Sequence, residues 1–183
     1  MPIERLARER QLQIKWTYFP LHRSIPSRGS EIAQYFGHTL AQMQEIHRSL
    51  SRQLQAEGLS YSPNLRIIYN SRKAQELAKW ADGQGASQAL HPLLYQGFFA
   101  EDGNLSLEEN LLPLVAQAGL DRAEAKQVLA EGRIRQAVNQ DWERSGTMGI
   151  QLIPTFLLGK MAMVGALPYE KMTAFAQAAR EGI

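Results

Sequence analysis

Gly149-Ile-Gln-Leu-Ile-Pro-Thr-Phe-Leu-Leu158, followed by Gly159-Lys160 and Met161-Ala-Met-Val164, decides how this sequence is read. Residues 154–158 and Met161–Val164 are short apolar runs interrupted by two residues, one of them glycine, which predicts a β-hairpin. Proline at 154 lacks the N–H that a ladder needs, so it belongs at a strand entrance. Residue chemistry alone favours a trans Ile153–Pro154 bond, the commoner state of X–Pro bonds.

Helical patterns flank this hairpin. Upstream, Ile134, Val138 and Trp142 recur every fourth residue and predict a helix to about Gly146. Downstream, Pro168 suits the first turn of a last helix in which Met172, Phe175, Ala176 and Ala179 share a face. Further upstream, Leu40, Met43, Ile46, Leu50 and Leu54 mark the inward stripe of a long helix from Thr39 to Gly58. Ala74, Leu77, Ala78 and Ala81 predict another from Asn70 or Ser71 to Gly83, and Leu90, Leu94 and Phe98 a third. Ser106-x-x-Glu109 and Asp121-x-x-Glu124 are capping-box patterns, with Gly119 and Gly132 as stops.

At the opposite end the period is two. Residues 12–19, Leu-Gln-Ile-Lys-Trp-Thr-Tyr-Phe, alternate Leu12, Ile14, Trp16 and Tyr18 with polar positions and close on Pro20, predicting a strand. Residues 2–10 read as the tail of a helix, and 20–37 mostly as loop with a helical turn near 32–36. The predicted order is helix, strand, a block of roughly five helices, strand, strand, helix, an α/β class.

Composition bounds the function. The chain has 183 residues, 44% of them hydrophobic and 21% charged, with 20 Lys and Arg against 18 acids. That balance suits an ordinary globular chain and carries no concentrated basic charge, so a nucleic-acid partner is not expected. No apolar run reaches the length of a membrane span and Met1 to Arg10 lacks an apolar signal stretch, so the expected address is cytoplasmic, without a membrane partner. Cysteine is absent, so these residues build no disulfide, thiolate metal site or cysteine nucleophile.

Most chemical motifs fail. Gly83-Gln-Gly85-Ala-Ser-Gln88 follows a helix and lacks its last glycine, so it is no dinucleotide cradle. His22, His38, His47 and His91 contain no pair three or four apart, and no metal site is expected. Asn104-Leu-Ser106 is a formal glycosylation sequon that reads as a polar helix start. Trp16, Tyr18, Phe19, Tyr95, Phe98, Phe99 and Trp142 lie in apolar periodic patterns and read as core, while Arg5, Arg8 and Arg10 read as a solvated face.

Three phrases in order carry a family likeness: Trp16-Thr-Tyr-Phe-Pro-Leu-His22 with Pro26 and Gly29, then Asn70-Ser-Arg-Lys-Ala74, then Gly149-Ile-Gln-Leu-Ile-Pro-Thr-Phe156. Together they resemble the DsbA-like thioredoxin-fold family, especially its FrnE-type branch and the related 2-hydroxychromene-2-carboxylate isomerases. The resemblance implies a thioredoxin-like fold over 1–37 and 147–183, with an all-helical insertion over 38–146. In that family a Cys-x-x-Cys, or a serine in the isomerase branch, caps the helix after the first strand. Both that strand and the motif are missing here, and Leu152 stands where the family commonly has glycine.

By resemblance, the missing strand would sit between 12–19 and 154–158, leaving the middle of the sheet empty. The same likeness names Ile153 and Pro154 as the substrate-binding positions, with a cis bond between them, and names no catalytic residue. It implies a thiol-disulfide oxidoreductase that is inactive without its cysteines, acting on a thiol- or disulfide-containing peptide or small molecule. The alternatives are an isomerase or transferase using glutathione, and a noncatalytic peptide-binding or partner-binding module. An unpaired sheet centre implies possible self-association into a homo-oligomer.

Overall fold

The computed structural model describes residues 2–181. The chain divides into two compact units, Pro20–Gln140 and Met1–Phe19 with Asp141–Ile183.

The unit Pro20–Gln140 is mainly helical: α2 (Ile32–Phe36), α3 (Leu40–Ala56), α4 (Arg72–Gly83), α5 (Ser87–Phe99), α6 (Glu108–Gln117), α7 (Arg122–Glu131) and the first turns of α8 (Arg135–Thr147). Leu77, Trp80, Leu90, Leu111, Val115 and Val128 centre its main core, all at most 6% exposed. A smaller cluster joins Ile25, Ile32 and Ala33 to Met43, Leu65 and Ile68. There β1 (Ser30–Glu31) pairs antiparallel with β2 (Ile67–Ile68). Gly29 lies at φ +85°, and a Cβ there would meet Ile67 Cγ2 at 2.4 Å and the Tyr69 ring at 2.7 Å, so only glycine lets this turn close.

The structure differs from the sequence pattern at several points. Residues 20–37, expected with the thioredoxin-like part, belong to the helical unit because Ile25 and Ile32 pack into its second core and Asn70 Nδ2 donates to the Ile25 carbonyl at 2.8 Å. Residues 141–146, expected in the insertion, belong to the other unit, where Asp141 accepts from the Tyr18 N–H at 3.2 Å. In α3, Met43 and His47 are buried while Leu40, Ile46 and Leu50 are 59%, 38% and 39% exposed, so the covered stripe is narrower than predicted. Ser106 does not cap α6: its hydroxyl donates to the Ser27 carbonyl at 2.8 Å and to Asn104 Oδ1. Asp121 does cap α7, accepting from the Glu124 N–H at 2.8 Å.

The other unit consists of α1 (Pro2–Arg10), the extended segment 11–19, the last turns of α8, β3 (Thr155–Leu158), β4 (Met161–Val164) and α9 (Tyr169–Glu181). Its buried cluster is small: Leu6 of α1, Met163 of β4, and Met172 and Ala176 of α9, flanked by Leu12, Phe156 and Leu158. A surface cluster joins α1 to α9: the Arg5 guanidinium lies 4.1 Å from the centre of the Tyr169 ring, and Glu9 accepts from both Arg5 and the Tyr169 hydroxyl. Those two bonds, Tyr169 first, hold the Glu9 carboxyl below its ordinary range.

Residues 12–19 keep the predicted alternation, with Leu12, Ile14, Trp16 and Tyr18 half-buried between exposed Gln13, Lys15 and Thr17, yet they enter no ladder. A strand is a property of a pair, and no described segment lies in register beside this one. Among the described residues, no helix is long and apolar enough to cross a membrane.

Candidate functional site

The segment between α8 and β3 is set by how α8 ends. The Ile150 N–H donates to the Ser145 carbonyl and the Gly149 N–H to the Gly146 carbonyl, both at 3.0 Å, with Gly149 at φ +66°. This Schellman arrangement needs a residue that tolerates the left-handed region, and glycine supplies it. The chain then runs out through Gln151, Leu152 and Ile153, all exposed, and turns at Pro154 into β3. The Ile153–Pro154 bond is cis, as the resemblance implied.

Beyond the proline, the hairpin carries on the register. The Gly165 N–H donates to the Pro154 carbonyl at 2.8 Å, and Thr155 faces Val164, Phe156 faces Met163, Leu157 faces Ala162 and Leu158 faces Met161. Phe156, Leu158 and Met163 thus share the face that packs on α1 and α9. The opposite face holds Leu157 and Val164, 42% and 48% exposed. Leu152 and Ile153, just before the hairpin, are also exposed, at 64% and 49%.

Backbone chemistry distinguishes this surface from a scatter of exposed side chains. Neither the N–H nor the carbonyl of Ile153 has a hydrogen-bond partner among the described residues. The Leu152 carbonyl accepts from the Thr155 hydroxyl at 2.6 Å, which fixes the turn. β3 pairs on one side only, with β4, so its second edge carries no described strand. An edge with free donors and acceptors beside apolar side chains can add an extended chain.

Ile153 and Pro154 therefore lie together on an exposed segment at the mouth of the hairpin. The sequence reading missed the free peptide groups of Ile153, which no residue pattern announces, and the outward apolar face of the hairpin, which its continuous run of apolar residues conceals. Among the described residues, no three His, Asp or Glu side chains are grouped to hold a metal ion.

The model of the DSBA-like thioredoxin domain matches residues 1–177. Among solved structures, the chain is similar to that of a probable DsbA oxidoreductase, SCO1869 from Streptomyces coelicolor, with 26% sequence identity and a TM-score of 0.84 over 90% of this chain and 74% of that one. No curated protein matches. With the family model spanning both units and the cis-proline hairpin in place, this chain belongs to the DSBA-like thioredoxin family.

Proposed function

We propose that these residues retain the substrate-docking half of thiol-disulfide chemistry and lack its redox half. Exchange requires a thiolate that attacks a disulfide sulfur and passes through a mixed disulfide. None of the 183 residues is a cysteine, so no such bond forms on this chain. The observation that carries the docking role is the N–H and carbonyl of exposed Ile153, without partners among the described residues and next to the edge of β3 that carries no described strand. An extended peptide bearing a thiol or disulfide would pair its backbone there and rest apolar side chains on Leu152, Leu157 and Val164. Leu152, branched where the family commonly has glycine, narrows the approach from its side.

Insulin reduction driven by dithiothreitol tests the redox half: the purified chain is expected to leave the uncatalysed rate unchanged, and turnover above that rate would refute it. Fluorescence anisotropy with a labelled, extended, cysteine-containing peptide tests the docking half. Saturable binding that weakens in Ile153→Pro, which removes the free N–H, supports it. No binding of the peptide, or equal binding to that variant, counts against it. Competition by reduced glutathione at lower concentration than by unlabelled peptide would move the assignment toward a glutathione-using enzyme.

A further inference from the structure

A cleft of about 450 Å³ opens in the helical unit between the 25–27 loop, the start of α4 and the start of α8. Its size falls in the range of small-molecule sites. Among its lining residues are Asn70, Arg72, Lys73, Glu76, Arg135 and Asn139.

These groups are not equivalent. Glu76, whose side chain is 4% exposed, is the buried anchor: Arg72 Nε donates to it at 2.6 Å, and Arg135 Nε stands 3.7 Å away. Arg72 is further committed, because its terminal nitrogen donates to the Arg135 carbonyl at 2.7 Å. Lys73 is paired with Glu108 at 2.7 Å. Arg135 differs, since its side chain is 65% exposed and its terminal nitrogens have no acceptor among the described residues. One helical turn on, the Asn139 amide, which also lines the cleft, has none either.

The surroundings favour negative charge. Arg72, Lys73 and Arg135 line the cleft beside the carboxylate of Glu76, and with Lys73 already paired to Glu108 one positive charge is left in excess. At the start of α4 Asn70 Oδ1 accepts from the Arg72 N–H at 2.9 Å, the Ser71 side chain accepts from no backbone N–H of that turn, and the Lys73 N–H has no acceptor among the described residues. A helix start with free amides adds a positive field. A guanidinium with free terminal nitrogens is matched to the two oxygens of a carboxylate or phosphate.

We infer that this cleft binds a small molecule through an oxyanion group, phosphate or carboxylate, held by Arg135 and Asn139. This site lies wholly in the helical unit and is independent of the docking role proposed for Ile153.

Amide NMR of the full chain, titrated with inorganic phosphate and separately with succinate, at an ionic strength matched with sodium chloride, tests it. Saturable shifts at Lys73, Arg135 and Asn139 are expected below about 20 mM ligand, a weak affinity in keeping with so small a probe. Arg135→Gln, at an exposed position, is expected to weaken binding about tenfold, the loss of one charge-assisted contact. Asn139→Asp, which adds a negative charge to the same face, is expected to weaken it comparably. Response to phosphate alone identifies a phosphorylated ligand, and response to succinate alone a carboxylic acid. The inference is overturned if neither anion binds, if chloride alone produces the same shifts, or if both variants bind as tightly as the parent chain.

Discussion

The two units were built under different constraints. The helical unit encloses twelve buried side chains in one cluster, and every helix in that cluster brings its own backbone hydrogen bonds. Among the described residues, the core cluster of the thioredoxin-like unit holds four, and the unit's β-structure is a hairpin together with a segment that has the side-chain rhythm of a strand but no ladder. Helices complete themselves, whereas strands depend on neighbours for all of their ladder hydrogen bonds. A strand with a described partner on one side only therefore leaves a sheet edge open, and an open sheet edge is where an extended ligand can pair.

The largest expected effect separates the two cores. Leu111, wholly buried in the helical unit, is expected to cost about 2–5 kcal/mol when replaced by alanine. Fluorescence of Trp80, in a background with Trp16 and Trp142 changed to Phe, reads the helical unit alone. If Leu111→Ala unfolded both units together while Met172→Ala did the same, the division into separately stabilised regions would fail.

Gly29→Ala is next. The alanine would need φ near +85° and would collide with Ile67 and Tyr69, so we expect a loss of about 1–3 kcal/mol from the helical unit, seen by urea denaturation. An unchanged midpoint would show that the β1–β2 corner shifts freely.

A pH scan gives a smaller contrast. Burial holds His22, His47 and His91 below the ordinary histidine range, against weaker opposing pulls from Asp102 on His47 and Asp82 on His91. The unfolded chain therefore takes up these protons first, so stability is full above about pH 6.5 and declines as pH falls from there through the lowered folded values. The helical unit should weaken across that interval. The other unit should hold until pH falls to the ordinary carboxylate range, and lose the contribution of Glu9 from there down through its lowered folded value. Stability of the helical unit that stays flat from pH 7 to about pH 5 would contradict the assignment.

The smallest effect concerns the end of α1, where Gln11 occupies φ +53° and the Leu12 N–H donates to the Ala7 carbonyl at 2.9 Å. Glycine takes that conformation without penalty, so Gln11→Gly should stabilise the thioredoxin-like unit by about 1 kcal/mol. Destabilisation would show that the Gln11 side chain has a larger role than its exposure suggests.

Sequence periodicity served the helices better than the sheet for the same reason. The 3.6-residue spacing of Ala74, Leu77 and Ala81 predicts α4 because the pattern and the hydrogen bonds lie on one segment. The period-two spacing of Leu12 to Tyr18 predicts which side chains turn inward, and they do, but cannot tell whether a partner exists. The two-residue strands β1 and β2 are too short to show any period, and the cleft around Arg135 joins residues more than sixty positions apart. Within the candidate docking site, family likeness points to Ile153 and Pro154, while the N–H and carbonyl of Ile153, without partners among the described residues, show only in three dimensions.

The most direct test is a backbone amide NMR titration of the full chain with an extended, cysteine-containing peptide. The account predicts that shifts concentrate on residues 151–158 and that the amide of Ile153 becomes protected from hydrogen exchange. Shifts confined to other surfaces, with the Ile153 amide still exchanging freely at saturation, would contradict it.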